Sequence, residues 1–526
     1  MHNALRIGLT TDSLTFMSLD PRTNTVDGVL RRSAAKVPDR AAVTFEGRSH
    51  TYRELDEAVS RAAAHLLALG LSAGDRVAAY GTNSDAYVIG FLACARAGLV
   101  HVPVNYALRG DELTYLLSQS GARAVLTDPA LTRNLVSVRD DLPALEHMVA
   151  LRDSDDSLLA SAHTGELPDP DSRAAGADLA QLLYTSGTTS KPKGAMMTHQ
   201  ALVHEYVSSV IALDLTDEDN PLIAMPLYHS AGMHVFTLPY LAVGATVNLM
   251  AAPDIPEILR RIESDRIGSL FLAPTVWVPL SNHPDLEFRD LSSLRKAQYG
   301  ASIMPVTVLN RLRERYPDLG FYNCFGQSEI GPLATVLRPE EHADRPSSCG
   351  QPVFFVETRV VDTDGNDVAD GNSGEVLYRS PQLCQGYWDN PEATAEAFRD
   401  GWFHSGDLVT RDRQGFITVV DRIKDVINTG GILVGSREVE DALYTHTAVA
   451  EVAVIGTPDE KWIEAVTAVV VLRADHTATA DELIGHVKNR LAPFKVPKKI
   501  RFLGSLPRNQ SGKLLKRELR EPFTGP

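Results

Sequence analysis

Beyond Thr51 the chain alternates between two hydrophobic periods. Over residues 52–69 the apolar positions Leu55, Val59, Ala62, Ala63, Leu66 and Leu67 recur at helical spacing, and Gly70 stands where a helix-terminating glycine belongs. Short apolar runs then trade places with helical patterns: Arg76–Tyr80 as a strand, 86–97 as a helix, Val100–Val104 as a strand, Gly110–Ser120 as a helix and Ala122–Thr127 as a strand. This order predicts parallel strands joined by crossover helices. Residues 153–176, rich in Asp, Ser and Pro, read as an exposed connection.

The same alternation returns with a strand at 222–226, a helix at 255–265, a strand at 269–273, a helix at 305–316 and a strand at 320–323. After Val353 the texture changes to short strands separated by turn signals, at 358–362, 374–379 and 415–420. The polar residues 421–425 precede a compact segment with strands at 451–455, 465–472 and 500–503 and a helix at 481–491. Ser436 is placed to cap another helix, whose first turn carries Glu438, Glu440 and Asp441. The predicted class is α/β: a large N-terminal domain of αβ layered subdomains plus a β-rich subdomain (1–421), a hinge (422–426) and a small, mobile α+β C-terminal domain (427–526).

Composition bounds the function. At 526 residues the chain exceeds one ordinary domain, and 44% hydrophobic with 22% charged residues describes a globular protein with a large core. A net charge of −16 argues against nucleic acid as a partner, so an anionic ligand must be met by local basic groups. Cys94, Cys324, Cys349 and Cys384 are scattered without metal spacing and read as reduced core thiols of a cytoplasmic protein. No secretory signal is evident and no apolar run reaches membrane-spanning length.

The candidate chemistry centres on Tyr184–Gly194, Tyr-Thr-Ser-Gly-Thr-Thr-Ser-Lys-Pro-Lys-Gly. The hydroxyls of Thr185, Ser186, Thr188, Thr189 and Ser190, the backbone of Gly187 and the charges of Lys191 and Lys193 suit a polyphosphate. Pro192 occupies the position where a Walker A loop requires its second glycine. A Ser/Thr/Gly-rich surface linker is the alternative reading of this composition.

Further motifs follow in order: 226–233 with Tyr228 and His229; Tyr-Asn-Cys-Phe-Gly-Gln-Ser-Glu at 322–329; Gln-Gly-Tyr-Trp at 385–388; His-Ser-Gly-Asp at 404–407; Asp-Arg-Ile-Lys-Asp at 421–425 with Gly430 and Gly431; and 507–513. Together with the loop, they resemble the adenylate-forming superfamily, in its acyl-CoA synthetase or fatty-acyl-CoA ligase branch, across most of the chain. The resemblance implies that ATP and a carboxylic acid give acyl-AMP and pyrophosphate, and that coenzyme A then takes the acyl group.

It also implies residue roles. Glu329, with Thr185, would hold Mg²⁺ against the phosphates. Asp407 would accept from both ribose hydroxyls, and Arg422 would donate to the ribose or phosphate. Gly300, Ala301 and Ser302 would wall the adenine, while Asn323, Phe325, Gly326, Gln327, Ser328 and Val419 complete the nucleotide site. Lys513 would bridge carboxylate and α-phosphate. Lys424 would be the hinge, presenting Gly430 and Gly431 to the pantetheine arm. His229 would gate the acyl pocket, lined by Tyr228, Met233, Val235, Tyr299, Gly300, Phe325 and Ile330.

Two departures stand out: Ser190 replaces a common glycine, and Ile432, Leu433 and Val434 follow Gly431 where many relatives read Glu-Asn-Val. They motivate an enzyme limited to one half-reaction, such as thioesterification of a pre-formed adenylate. Loading of a carrier-protein pantetheine is a further alternative. The expected acid has a medium or long acyl chain, or a bulky alicyclic or polyketide skeleton; the expected state is monomer or homodimer.

Overall fold

The computed structural model describes residues 24–168, 174–185, 191–302, 304–429, 432–459, 461–508 and 514–521. The first predicted helix forms as Tyr52–Ala68, with Thr51 capping it in a reciprocal bond pair with Glu54. Gly70 follows its end at φ +85°. Leu55, Val59, Ala62, Ala63 and Leu66 are buried, whereas Leu67 faces outward.

All 13 residues of the next helix, Asp85–Ala97, are buried. It is apolar nearly all round because it lies in the middle of the principal core rather than on a surface. Its single cation, Arg96, is satisfied by Asp27 at 2.7 Å and by Asp56 and Ser60.

Among the described residues two large sheets carry the N-terminal part. One runs in the order His147–Ala150, Ala122–Thr127, Arg76–Tyr80, Val100–Val104, Leu179–Thr185 and Lys193–Thr198. Its first five strands are parallel, as predicted for Arg76–Tyr80, Val100–Val104 and Ala122–Thr127, with His147–Ala150 an unpredicted addition, and the last pairs antiparallel with Leu179–Thr185. The phosphate-loop motif therefore connects two antiparallel strands, whose facing ends are Thr185 and Lys193.

The second sheet contains the parallel strands Val247–Leu249, Pro221–Ile223, Ser269–Leu272, Lys296–Gly300 and Gly320–Phe325, continued antiparallel by Thr335–Leu337. The main core takes residues from both sheets, and helix His199–Ala212 packs one face into it while Val207 and Ile211 stay exposed. A third sheet joins Glu357–Val361, Ser373–Arg379, Trp402–Arg411 and Ile417–Arg422 as antiparallel neighbours. A fourth, from Ile427 to Phe502, owns separate cores around Val454, Val466 and Val470 and around Ile455 and Val469.

Two local expectations are corrected. Residues 153–176 are not wholly exposed connection: Ser157 caps the helix Leu158–His163, which buries Leu158 and Ala162. Ser436 does not cap its helix; Gly435 holds that position and Ser436 begins the helix, its N–H donating to Asp421 at 2.6 Å.

Candidate active site

The candidate residues collect at the carboxyl ends of the parallel strands, the usual ligand crevice of open α/β sheets. Thr185 ends the strand Leu179–Thr185, Gly300 ends Lys296–Gly300 and Phe325 ends Gly320–Phe325. The last two strands run side by side, with Gly300 opposite Cys324. A Cβ on Gly300 would stand 2.2 Å from the Cys324 carbonyl oxygen, which accounts for glycine there. Ala301 follows at φ +63°, a conformation that non-glycine residues rarely adopt, and Ala301 and Ser302 are exposed at the rim.

Glu329 lies in a short helical turn with its side chain buried. Its Oε1 accepts from Thr185 Oγ1 at 3.1 Å and from the Tyr387 hydroxyl at 3.1 Å. Among the described residues it has no ion-pair partner. A buried carboxylate with one oxygen held by hydroxyls and a neighbouring threonine oxygen is a donor set that fits a hard, oxygen-seeking cation such as Mg²⁺. The Lys193 ammonium lies over the ring of the same Tyr387, 5.1 Å from its centroid.

Asp407 projects from Trp402–Arg411, almost fully buried. Gln327 Nε2 donates to its Oδ2 at 2.6 Å and Arg422 reaches Oδ1 at 2.6 Å, from the adjacent strand position. The Ser405 hydroxyl receives the Asp407 N–H, and Glu375 takes the Gly406 N–H at 2.9 Å. Asn323 donates to the Ser348 carbonyl at 2.9 Å, and Ser328 exchanges a hydrogen bond with Ser230 at 3.0 Å. Gly326 admits no side chain, since a Cβ would meet Pro332 O at 2.1 Å. Val419 accepts through its carbonyl from Arg437 at 2.6 Å, and Lys424 is exposed in the turn Ile423–Asp425.

On the other side of the crevice the Tyr228 and His229 rings lie 4.9 Å apart, and Tyr106 meets Tyr228 edge-on at 5.4 Å. Asn83 fixes this segment, accepting from Leu227 N at 2.7 Å and donating to Met225 O at 3.0 Å. A π-helical stretch, Ala231–Thr237, follows and buries Met233 and Val235. Within it His234 bridges Tyr206 at 3.0 Å and Gln181 at 2.7 Å, and Gln181 reaches His101 at 2.9 Å. Burial pushes the pKa of both histidines down to about 3, so each is neutral and the chain of bonds is a fixed brace.

Tyr228, Met233, Val235 and Ile330 share one apolar core, and Phe325 packs against it. Tyr299 belongs instead to the core of Leu270, Leu272 and Phe321, its hydroxyl turned to His342 at 3.0 Å. Ser186, Gly187, Thr188, Thr189, Ser190, Gly430, Gly431 and Lys513 lie outside the described residues. Tyr387, Asn83 and Glu375 were missed as site residues by sequence reasoning. Tyr387 sits in a quoted motif, but nothing in its spacing reveals that its hydroxyl meets Glu329.

Family models match residues 30–388 as an AMP-binding enzyme and 438–513 as an AMP-binding enzyme C-terminal domain. The chain belongs to the adenylate-forming AMP-binding enzyme family. It is similar to the feruloyl-CoA synthase of an Amycolatopsis species, 38% identical over 497 residues covering 94% of this chain and 98% of that one. An indoleacetate–CoA ligase of Aromatoleum aromaticum is 33% identical, covering 93% and 96%. Among solved structures of the family, the anthranilate CoA ligase AuaEII in complex with anthranoyl-AMP superposes with a TM-score of 0.89 at 26% identity, over 95% of this chain and 97% of that one.

Proposed function

We propose that this acid–thiol ligase acts on a compact, ring-bearing carboxylic acid, using Mg²⁺ with ATP, in the cytoplasm. That it is an ATP-dependent acyl-CoA ligase follows from its family and from relatives that are CoA ligases over nearly their whole length. The observation that carries the substrate reading is the Tyr228 hydroxyl, buried and without a hydrogen-bond partner among the described residues, in an aromatic corner formed with Tyr106 and His229. A buried hydroxyl left unpaired is costly, and a polar ring substituent on the acid would satisfy it. Aromatic edges favour a flat ring over a flexible chain. Two similar proteins named for feruloyl and indoleacetate substrates support the same class.

In this reading Asp407 and Arg422 orient the ribose, and Lys193 with the Thr185 hydroxyl meets the phosphates. Mg²⁺, held by Glu329 and Thr185, would neutralise phosphate charge; the acid's carboxylate attacks the α-phosphorus and the bond to the β-phosphate breaks, releasing pyrophosphate. The carbonyl carbon of the resulting acyl-AMP is then open to the CoA thiol, with AMP as leaving group. The domain boundary at 421–427 and the hinge at Lys424 belong to this proposal; the separate core beginning at Ile427 supports them.

The test is pyrophosphate and AMP release from ATP over a panel of cinnamic, arylacetic, benzoic and fatty acids, with and without CoA. Pyrophosphate release with ring-bearing acids, followed by CoA-dependent AMP and acyl-CoA, is the expected result. A clear preference for long fatty acids overturns the substrate class. Conversion of a synthetic acyl-AMP without pyrophosphate release from any acid marks a thioesterification-only enzyme, and acceptance of a carrier protein but not CoA marks a carrier-loading one.

A further inference from the structure

Tyr387 lies outside every role assigned above, yet it touches both halves of the phosphate site. Its hydroxyl donates to Glu329 Oε1 at 3.1 Å, and its ring lies under the Lys193 ammonium at 5.1 Å. A phenol hydroxyl beside a carboxylate oxygen can only donate to it.

The backbone holding Tyr387 is part of the same construction. Its neighbours form an added strip along the strand that returns from the phosphate loop: Gln385 N donates to Met196 O at 2.9 Å, Met196 N to Gly386 O at 2.9 Å, and Trp388 N to Gly194 O at 2.7 Å. Tyr387 N is tied to Thr394 Oγ1 at 2.9 Å. The adjacent Gly386, at φ +129°, admits no side chain because a Cβ would stand 2.5 Å from Thr394 Cγ2. Cys384 N, just upstream, donates to the Glu329 carbonyl at 2.8 Å. One rigid strip therefore grips the backbone on both sides, at Glu329 and at Gly194.

We infer that Tyr387 is a positioning residue that sets the metal-binding carboxylate of Glu329 and the phosphate-binding ammonium of Lys193 in one fixed geometry. With Oε1 accepting from Thr185 and Tyr387, the carboxylate cannot rotate, and Oε2 accepts from no described residue. The ring supplies the second half: a π-face that holds the Lys193 ammonium over the side chain whose hydroxyl meets Glu329, with no Lys193–Glu329 salt bridge among the described residues. The inference rests on the adenylating reading of the site.

The test separates hydroxyl from ring by equilibrium binding, with no acid present and so no turnover. Mn²⁺ binding is followed by electron paramagnetic resonance in the presence and absence of ATP, and metal-free ATP and AMP binding by calorimetry. Each value is normalised to the AMP-binding fraction, so that unfolded molecules are not counted. Tyr387→Phe should weaken Mn²⁺ in the ATP complex about tenfold, with metal-free ATP and AMP affinities unchanged. Tyr387→Leu should show the same metal loss and in addition weaken metal-free ATP about threefold.

Either variant tests the hydroxyl, so the failure of one to fold leaves the other decisive. Mn²⁺ affinity equal to the parent's overturns the inference, as does a uniform loss across Mn²⁺, ATP and AMP, which is the signature of a merely structural residue. If the parent itself binds Mn²⁺ no better with ATP than without, the adenylating reading of the site falls instead.

Discussion

The side-chain amide of Gln327 donates to Asp407 at 2.6 Å while Arg422 holds the opposite carboxylate oxygen at 2.6 Å. The carboxylate is thus aimed before any nucleotide arrives, as a ribose-binding acceptor must be. Gln327→Ala should weaken AMP binding about tenfold by releasing a bond to a charged group. Asp407→Asn should cost more, because its amide turns a donor towards Gln327, Arg422 or the ribose. Calorimetry with AMP measures both, and equal affinities in parent and Gln327→Ala would remove Gln327 from the site.

Glu329→Gln keeps the shape of the side chain and removes the charge that a divalent cation requires. Pyrophosphate release should fall about 100-fold, while AMP, which needs no metal in this site, binds as before. Loss of AMP binding in step with pyrophosphate release would point to a collapsed loop instead.

Tyr228→Phe deletes a buried hydroxyl that has no hydrogen-bond partner among the described residues. The melting temperature should hold or rise, since an unsatisfied polar group is removed. The value of kcat/KM for acids with a polar ring substituent should drop about tenfold relative to unsubstituted acids. Parallel losses for both kinds of acid would place the hydroxyl away from the substrate.

Glu205 offers a pH test. It is buried on helix His199–Ala212, accepting from Leu333 N at 3.2 Å, Ser209 Oγ at 3.2 Å and Gln382 Nε2 at 2.6 Å. Burial raises its pKa well above 4.5. The folded state therefore keeps a proton that the unfolded state releases, so this group's stabilisation is full below pH 4.5 and is lost as pH rises towards its folded pKa. One such proton is worth at most about 1.4 kcal/mol per pH unit. Urea denaturation from pH 5 upward should show that decline in the parent and a flatter profile in Glu205→Gln; identical slopes would mean that Glu205 is ionised in the fold.

Much of this molecule is legible in the order of its residues. The helical spacing of Leu55, Val59, Ala62 and Leu66 and the alternation of helices and strands follow from local periodicity, which needs no distant partner. The motifs that carry Thr185, Glu329, Asp407 and Arg422 are equally local, and the fold brings Thr185 within 3.1 Å of Glu329 and Asp407 within 2.6 Å of Arg422. The misplacements have a different character. Ser436 has the composition of a cap, but its N–H is claimed by Asp421, fifteen residues away. Tyr299 has the neighbours of a pocket residue, but strand alternation turns it into the other core, towards His342.

By itself, then, the sequence determined the periodic elements, the family and the list of groups able to bind a nucleotide, because each is written in short-range spacing. Only the tertiary structure decided which groups meet. Tyr387 on Glu329, Gln327 on Asp407 and the ring contact of Tyr106 with Tyr228 arise where segments 58, 80 and 122 residues apart converge. Hydrogen bonds and ring contacts act over a few ångströms of space, and separation along the chain carries no record of them.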